Sequence, residues 1–234
     1  MIGHPNQLTL PIELIREPTL ADYRPGPNAE ASAAVRAQAD GSGEPVLYLF
    51  GGPATGKTHL LQAACRASTG VGRTAQYIPL ALSGLMPSML EDLETRDLLA
   101  LDDLDTIGGR PDWELAVFNL FNRARARGCA LLIAATSGPD ELGIGLPDLR
   151  SRLQWGPRYC LLPLSDPDCE TLLIEVAARL GMRLAHETAR YIMNNYARDP
   201  ASLVELMIRI DRASLRERRQ PSIPLVRQVI RGEI

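Results

Sequence analysis

The run Gly51-Gly52-Pro53-Ala54-Thr55-Gly56-Lys57-Thr58 constrains this chain more than any other stretch. It fits G-x-x-x-x-G-K-[ST] at every position, and its flanks carry the rest of the signal. Five apolar residues of strand length, Val46 to Phe50, stand before it, and residues 58–67 read as a helix after it. A strand that turns on glycines into a helix aims backbone N–H groups and the positive end of the helix at one spot, which suits phosphate oxygens. Lys57 then reaches the β and γ phosphates, and the Thr58 hydroxyl ligates Mg²⁺. A plain strand-to-helix turn would also use the glycines, but it has no need of the lysine. Lys57 is the one lysine among 25 Lys and Arg residues, and the phosphate reading explains it.

The rest of the chain repeats this alternation. Apolar runs of strand length recur at 75–79, 98–101, 130–135 and 159–162, with helical patterns between them. Trp113, Ala116, Val117, Leu120, Phe121 and Ala124 fall on one face of a helix. Continuous apolar strands alternating with helices predict a mostly parallel sheet covered on both faces. Residues 1–28 are rich in Pro, Asn and charge and read as tail and linker, followed by a helix over 29–39 that ends at Gly41-Ser42-Gly43. After Leu164 the strand signals stop. Ser165-Asp166-Pro167-Asp168 opens a helix, Leu172, Leu173, Val176, Ala177 and Leu180 follow at helical spacing, and further helices are expected near 187–197, 201–219 and 224–231.

Composition excludes several classes. At 45% hydrophobic and 23% charged residues with a net charge of −3, the chain is neither disordered nor collagen-like. Its longest apolar runs are far short of the ~18 residues of a membrane span. The start Met-Ile-Gly-His-Pro-Asn has neither the basic nor the apolar region of a secretory signal, so a cytoplasmic protein is expected. Cys65, Cys129, Cys160 and Cys169 have no CxxC pairing and read as small core residues, and His4, His59 and His186 are too scattered to suggest a metal site.

Three further segments carry chemistry. In Leu98-Leu99-Ala100-Leu101-Asp102-Asp103 a buried strand ends in two carboxylates, at the strand end where α/β sheets bind ligands. Asp102 would hold Mg²⁺ through water, and Asp103 would orient or deprotonate an attacking water. Arg150 and Arg152, beside Trp155, fit two readings equally: a solvated helix end, or an arginine presented to a neighbouring subunit's nucleotide. Gln7-Leu8-Thr9-Leu10-Pro11-Ile12 reads as an extended peptide for a partner's groove or as an edge strand, and the residues alone favour the strand.

Together these residues resemble the initiator-type AAA+ ATPases, and among them the Hda-type DnaA-related regulators of bacterial replication. The resemblance runs from Leu20-Ala21-Asp22-Tyr23-Arg24-Pro25-Gly26-Pro27-Asn28, through Gly51 to Thr58, Asp102-Asp103 and residues 145–156, to Asp211-Arg212-Ala213-Ser214. It implies a five-stranded parallel sheet with a helical lid. The implied organisation is a tail over 1–17, an AAA+ domain over 18–163 and a lid over 164–234. It also places Tyr23 and Asn28 near the adenine of a bound ADP or ATP, makes Arg152 of Ser151-Arg152-Leu153-Gln154-Trp155-Gly156 the arginine finger, and leaves Arg150 on the surface. Gln7 to Ile12 becomes the hexapeptide that binds the DNA-polymerase sliding clamp. The partners implied are that clamp and the initiator DnaA, with DNA reached mainly through the clamp, no membrane, and a homodimer as one resting form. The chain reads Thr136-Ser137-Gly138 where the initiators place a polar γ-phosphate sensor, and Ala201 where the lid arginine stands. Both departures imply weak or no ATPase of its own. The alternatives are a self-contained P-loop ATPase or kinase, and a DnaA-like DNA-binding loader; for the loader, Arg216, Arg218 and Arg219 make only a short basic patch.

Overall fold

A computed structural model describes residues 18–234, so the segment from Gln7 to Ile12 lies outside the described residues. Five strands, β1 (Val46–Phe50), β2 (Ala75–Pro79), β3 (Leu98–Asp102), β4 (Ala130–Ala135) and β5 (Arg158–Cys160), form one parallel sheet in the order β2-β3-β4-β1-β5. Their side chains alternate between two cores, as period-two geometry requires. Leu47, Leu49, Leu98, Ala100, Leu132 and Ala134 pack under α1 (Ala29–Asp40) and α2 (Lys57–Gly70). Tyr48, Leu99, Leu101, Leu131 and Ile133 pack under α3 (Pro111–Arg127) and α4 (Pro147–Leu153). Trp113, Val117, Leu120, Phe121 and Ala124 are buried along α3, the stripe that the spacing predicts, while Ala116 is half-buried at its margin.

Because every strand runs the same way, the loops after β1, β3 and β4 emerge at one edge of the sheet. That common edge gathers the glycine-rich loop, the acidic pair and the Thr136–Gly138 stretch, and it is where ligands bind in parallel α/β sheets.

Beyond Leu164 the chain is helical: α5 (Asp166–Arg179), α6 (His186–Asn195), α7 (Pro200–Glu217) and α8 (Ile223–Arg231). Ser165 caps α5, its hydroxyl accepting from the Asp168 N–H, and Asp199 caps α7 by accepting from the Ser202 N–H. These helices share a core of their own, with Leu172, Leu173, Ile192, Leu206, Ile210 and Val226 at its centre. No helix among the described residues is long and apolar enough to cross a membrane.

One expectation fails. Cys129 and Cys169 are buried, but Cys65 is half-buried and Cys160 is exposed. β5 is the last strand of the sheet, and its residues on either side of Tyr159 face outward instead of meeting a covering helix.

Candidate nucleotide site and arginine face

The loop between β1 and α2 depends on backbone shapes that its glycines supply. Gly51 has φ +152° and lies so close to β5 that a Cβ there would stand 2.4 Å from the Leu161 carbonyl oxygen. Gly56 has φ +91°, and a Cβ would meet the Tyr23 ring at 2.6 Å. Both positions therefore exclude side chains by conformation and by space. Ala54 also adopts the left-handed region, at φ 60°.

Lys57 opens α2 and folds its ammonium over the loop, where Nζ donates to the carbonyls of Gly51 at 2.7 Å and Gly52 at 2.8 Å. Burial pushes its pKa down, while the charges of Asp102, Asp105 and Asp103 pull it back up. A phosphate beside it would favour the charged form, opposing the effect of burial. Thr58 is exposed in the first turn, and the Thr55 hydroxyl is turned inward onto the Gly52 carbonyl.

Asp102 ends β3 and is 1% exposed. Its Oδ1 accepts from the Asp103 N–H at 3.0 Å and its Oδ2 from the Tyr77 hydroxyl at 2.8 Å. Asp103 follows in the left-handed region at φ 56°, half-buried, its pKa raised by burial first and then by the charges of Asp102 and Asp105. A raised carboxylate beside a phosphate loop suits a proton acceptor. Asp105 takes the Thr136 N–H at 2.9 Å, and the Ser137 carbonyl accepts from Tyr48 at 2.9 Å, which ties the stretch after β4 to both neighbouring strands. Gly138 offers no side chain here, and Ala201 is exposed in the first turn of α7. The arginine nearest to Ala201 in sequence, Arg198, pairs with Asp166 at 2.7 Å inside the lid.

A divalent ion would find hard oxygen donors in Asp102 and Thr58. Among the described residues no cluster of three or more His, Cys, Asp or Glu side chains could hold an ion by itself. A short protein ligand set fits Mg²⁺, which in nucleotide sites is held by one or two protein ligands together with the phosphates and water.

The linker over 18–28 joins this loop to the lid. The Tyr23 ring covers Gly56, and its hydroxyl points to the Thr55 carbonyl at 3.4 Å. Asn28 is buried, with its amide fully engaged: it donates to the Leu162 carbonyl at 2.8 Å and to Tyr23 at 3.3 Å, and accepts the Leu162 N–H at 2.8 Å. Its side chain therefore positions Tyr23 and β5 and has no donor left over for an adenine. Arg24 pairs with Glu175 at 2.6 Å and Asp168 at 3.7 Å, and Asp22 pairs with Arg179, so the linker also grips α5.

Arg152 lies on the other face of the sheet, at the end of α4. Its Nε donates to Asn122 Oδ1 at 3.2 Å, and its guanidinium stands 4.1 Å from the Trp155 ring centroid and 6.0 Å from that of Phe118. Among the described residues no carboxylate pairs with it. Arg150 instead donates to the Ile144 carbonyl at 3.0 Å, holding the turn into α4. Sequence reasoning missed Glu114, which is 2% exposed and accepts three backbone N–H groups, from Gly109 at 2.9 Å, Gly145 at 3.1 Å and Leu146 at 2.7 Å. Its position in the first turn of a helix gives no hint of this; partners 31 and 32 residues away do.

Residues 166–230 match the family described as "Hda, lid domain". An uncharacterized protein of Haemophilus influenzae is 38% identical over 226 residues, covering 96% of this chain and 98% of its own. Domain III of the Thermotoga maritima replication initiation protein DnaA superposes with a TM-score of 0.76 at 20% identity, over 92% of this chain and 95% of that one. The AMPPCP-bound DnaA of Aquifex aeolicus gives 0.70 at 21%, over 92% and 69%. Sheet order, glycine-rich loop and helical lid define a P-loop protein of AAA+ fold. Within that class, the match over residues 166–230 places it further: the chain belongs to the Hda/DnaA-related AAA+ proteins.

Proposed function

We propose that this protein binds an adenine nucleotide, ADP or ATP with Mg²⁺, in the loop from Gly51 to Thr58, and that it accelerates hydrolysis of ATP held by a DnaA-type initiator. It acts as a negative regulator of replication initiation. The observation that carries this reading is Arg152. Asn122 and Trp155 hold its guanidinium without a carboxylate, on the sheet face away from α2. An arginine held by an amide and an aromatic ring, with no carboxylate to neutralise it, suits a phosphoryl group brought by a partner. The Gln7 to Ile12 peptide would tether the protein to a DNA-loaded sliding clamp and so raise its effective concentration beside new DNA. In the protein's own loop, Lys57 neutralises phosphate charge and Tyr23 links loop occupancy to the lid. Asp102 and Thr58 would hold Mg²⁺, which supplies charge neutralisation at the phosphates when bound.

The test is single-turnover hydrolysis of ATP pre-bound to the initiator, with DNA-loaded clamp and with or without this protein. Acceleration is expected only when clamp and protein are both present. Arg152→Ala should remove it, by a factor of about 10³–10⁵ if the finger behaves as others do, while nucleotide binding stays intact. Stimulation by the variant equal to wild type would overturn the role. A second reading, self-contained ATP hydrolysis, is favoured by the raised pKa of Asp103 beside Asp102. Steady turnover by the isolated protein that falls in Asp103→Ala would support it.

A further inference from the structure

Asp102 is almost wholly buried, and an ionised carboxylate removed from water needs donors. It has two from the protein, one on each oxygen: the Asp103 N–H and the Tyr77 hydroxyl. Strand register brings the tyrosine there. Tyr77 pairs with Ala100, and Asp102, two residues further along β3, points to the same face, the one that α2 covers. From α2, Gln62 comes within interaction range of the same tyrosine hydroxyl. The direction of each bond follows from the groups. A carboxylate only accepts, so the Tyr77 O–H donates to Asp102, and its oxygen is left free to accept from the Gln62 amide. Gln62 lies one and a half turns into the helix that Lys57 and Thr58 begin. Tyr77 on the edge strand thus stands between the phosphate-loop helix and the carboxylate at the end of β3.

We infer that Gln62 and Tyr77 are positioning residues that aim the Asp102 carboxylate at the divalent cation accompanying the nucleotide. This rests on the nucleotide site proposed above. With one donor on each oxygen, the carboxylate plane is set before any ion arrives. Mg²⁺ demands near-ideal octahedral geometry, so a carboxylate free to rotate serves it poorly. Removing an outer partner of a metal-directed group typically costs 10–100-fold in metal affinity. A purely structural tyrosine would behave differently: its loss would weaken fold and nucleotide binding alike, with or without metal.

The experiment measures ADP affinity of the full chain across a Mg²⁺ titration that starts in chelator, with Mn²⁺ paramagnetic resonance as an independent count of bound ion. Tyr77→Phe keeps the ring and removes only the hydroxyl. It should raise the Mg²⁺ concentration at half-effect by about tenfold and weaken Mn²⁺ binding similarly, with ADP affinity in chelator unchanged and the fold retained. Gln62→Ala, on a half-buried helix position, should shift the Mg²⁺ midpoint the same way by less. In an Asp102→Asn background, Tyr77→Phe should add nothing, since the two act through one group. A Tyr77→Phe protein with the wild-type Mg²⁺ midpoint overturns the inference, as does an equal loss of ADP affinity with and without metal. If either variant melts early, the other decides by the same criterion. Wild-type protein that binds no ADP in any condition overturns the nucleotide reading itself, a result distinct from any shift in midpoint.

Discussion

Asp103 sits in the left-handed region directly after a buried carboxylate, with Asp105 two residues on and only the Lys57 charge in its favour. Its pKa is raised above the ordinary aspartate value, so between that value and the raised one the folded state binds more protons than the unfolded state. Stability therefore falls as pH rises through that window, and at neutral pH the ionised group costs stability in full. Asp103→Asn should melt higher than wild type at neutral pH. The pH-dependent part of that gain should shrink as pH drops toward the ordinary aspartate range, and thermal melts across pH read it directly. A gain constant at all pH values would assign the effect to asparagine's ease at positive φ instead. The two carboxylates were legible in sequence because a strand ending in Asp-Asp has a local pattern. Tyr77 was not, since it is an ordinary strand residue until register brings it to Asp102.

At the scale of elements, α3 and α4 carry the arginine face, and Glu114 binds them together. Its carboxylate takes one N–H from Gly109, in the turn before α3, and two from Gly145 and Leu146, at the end of the loop that leads into α4. Glu114→Ala leaves three backbone N–H groups without their acceptor; Gly109 and Gly145 are exposed and can turn to water, so the cost should be about 1–3 kcal/mol, the penalty of one unsatisfied group. Urea unfolding measures this. The same change should lower stimulation of initiator-bound ATP even where the protein remains folded, because α4 is the mount of Arg152. Trp155 works at the same scale: Arg125 and Arg152 lie 4.3 and 4.1 Å from its ring centroid, and Phe121 meets it edge-on. The apolar stripe of α3 was plain from spacing. The seven-residue α4 was not, since its apolar positions are too few to show a period.

For the whole molecule, the linker decides how the lid meets the sheet. Arg24 and Asp22 reach α5, Tyr23 covers Gly56, and Gly26 lies close enough to Leu164 that a Cβ would stand 2.7 Å from its methyl. The ion pairs are partly exposed, and such pairs contribute little to stability, about 0–1 kcal/mol. Arg24→Ala should therefore leave global unfolding nearly unchanged while hydrogen exchange in α5 quickens and ADP affinity falls. Faster exchange with no change in ADP affinity would separate lid position from nucleotide binding. The five strands, the phosphate loop, the acidic pair and the lid helices were each determined by the sequence alone, because each has a local pattern of apolar spacing, glycine or cap. Tertiary structure alone decided three things: that Asn28 spends its amide on Leu162, that Glu114 serves backbone over 30 residues away, and that Asp102 is aimed from β2 and α2. These depend on which strands are neighbours, and burial makes the choice binding, since a polar group removed from water must find its partner wherever the fold has put one.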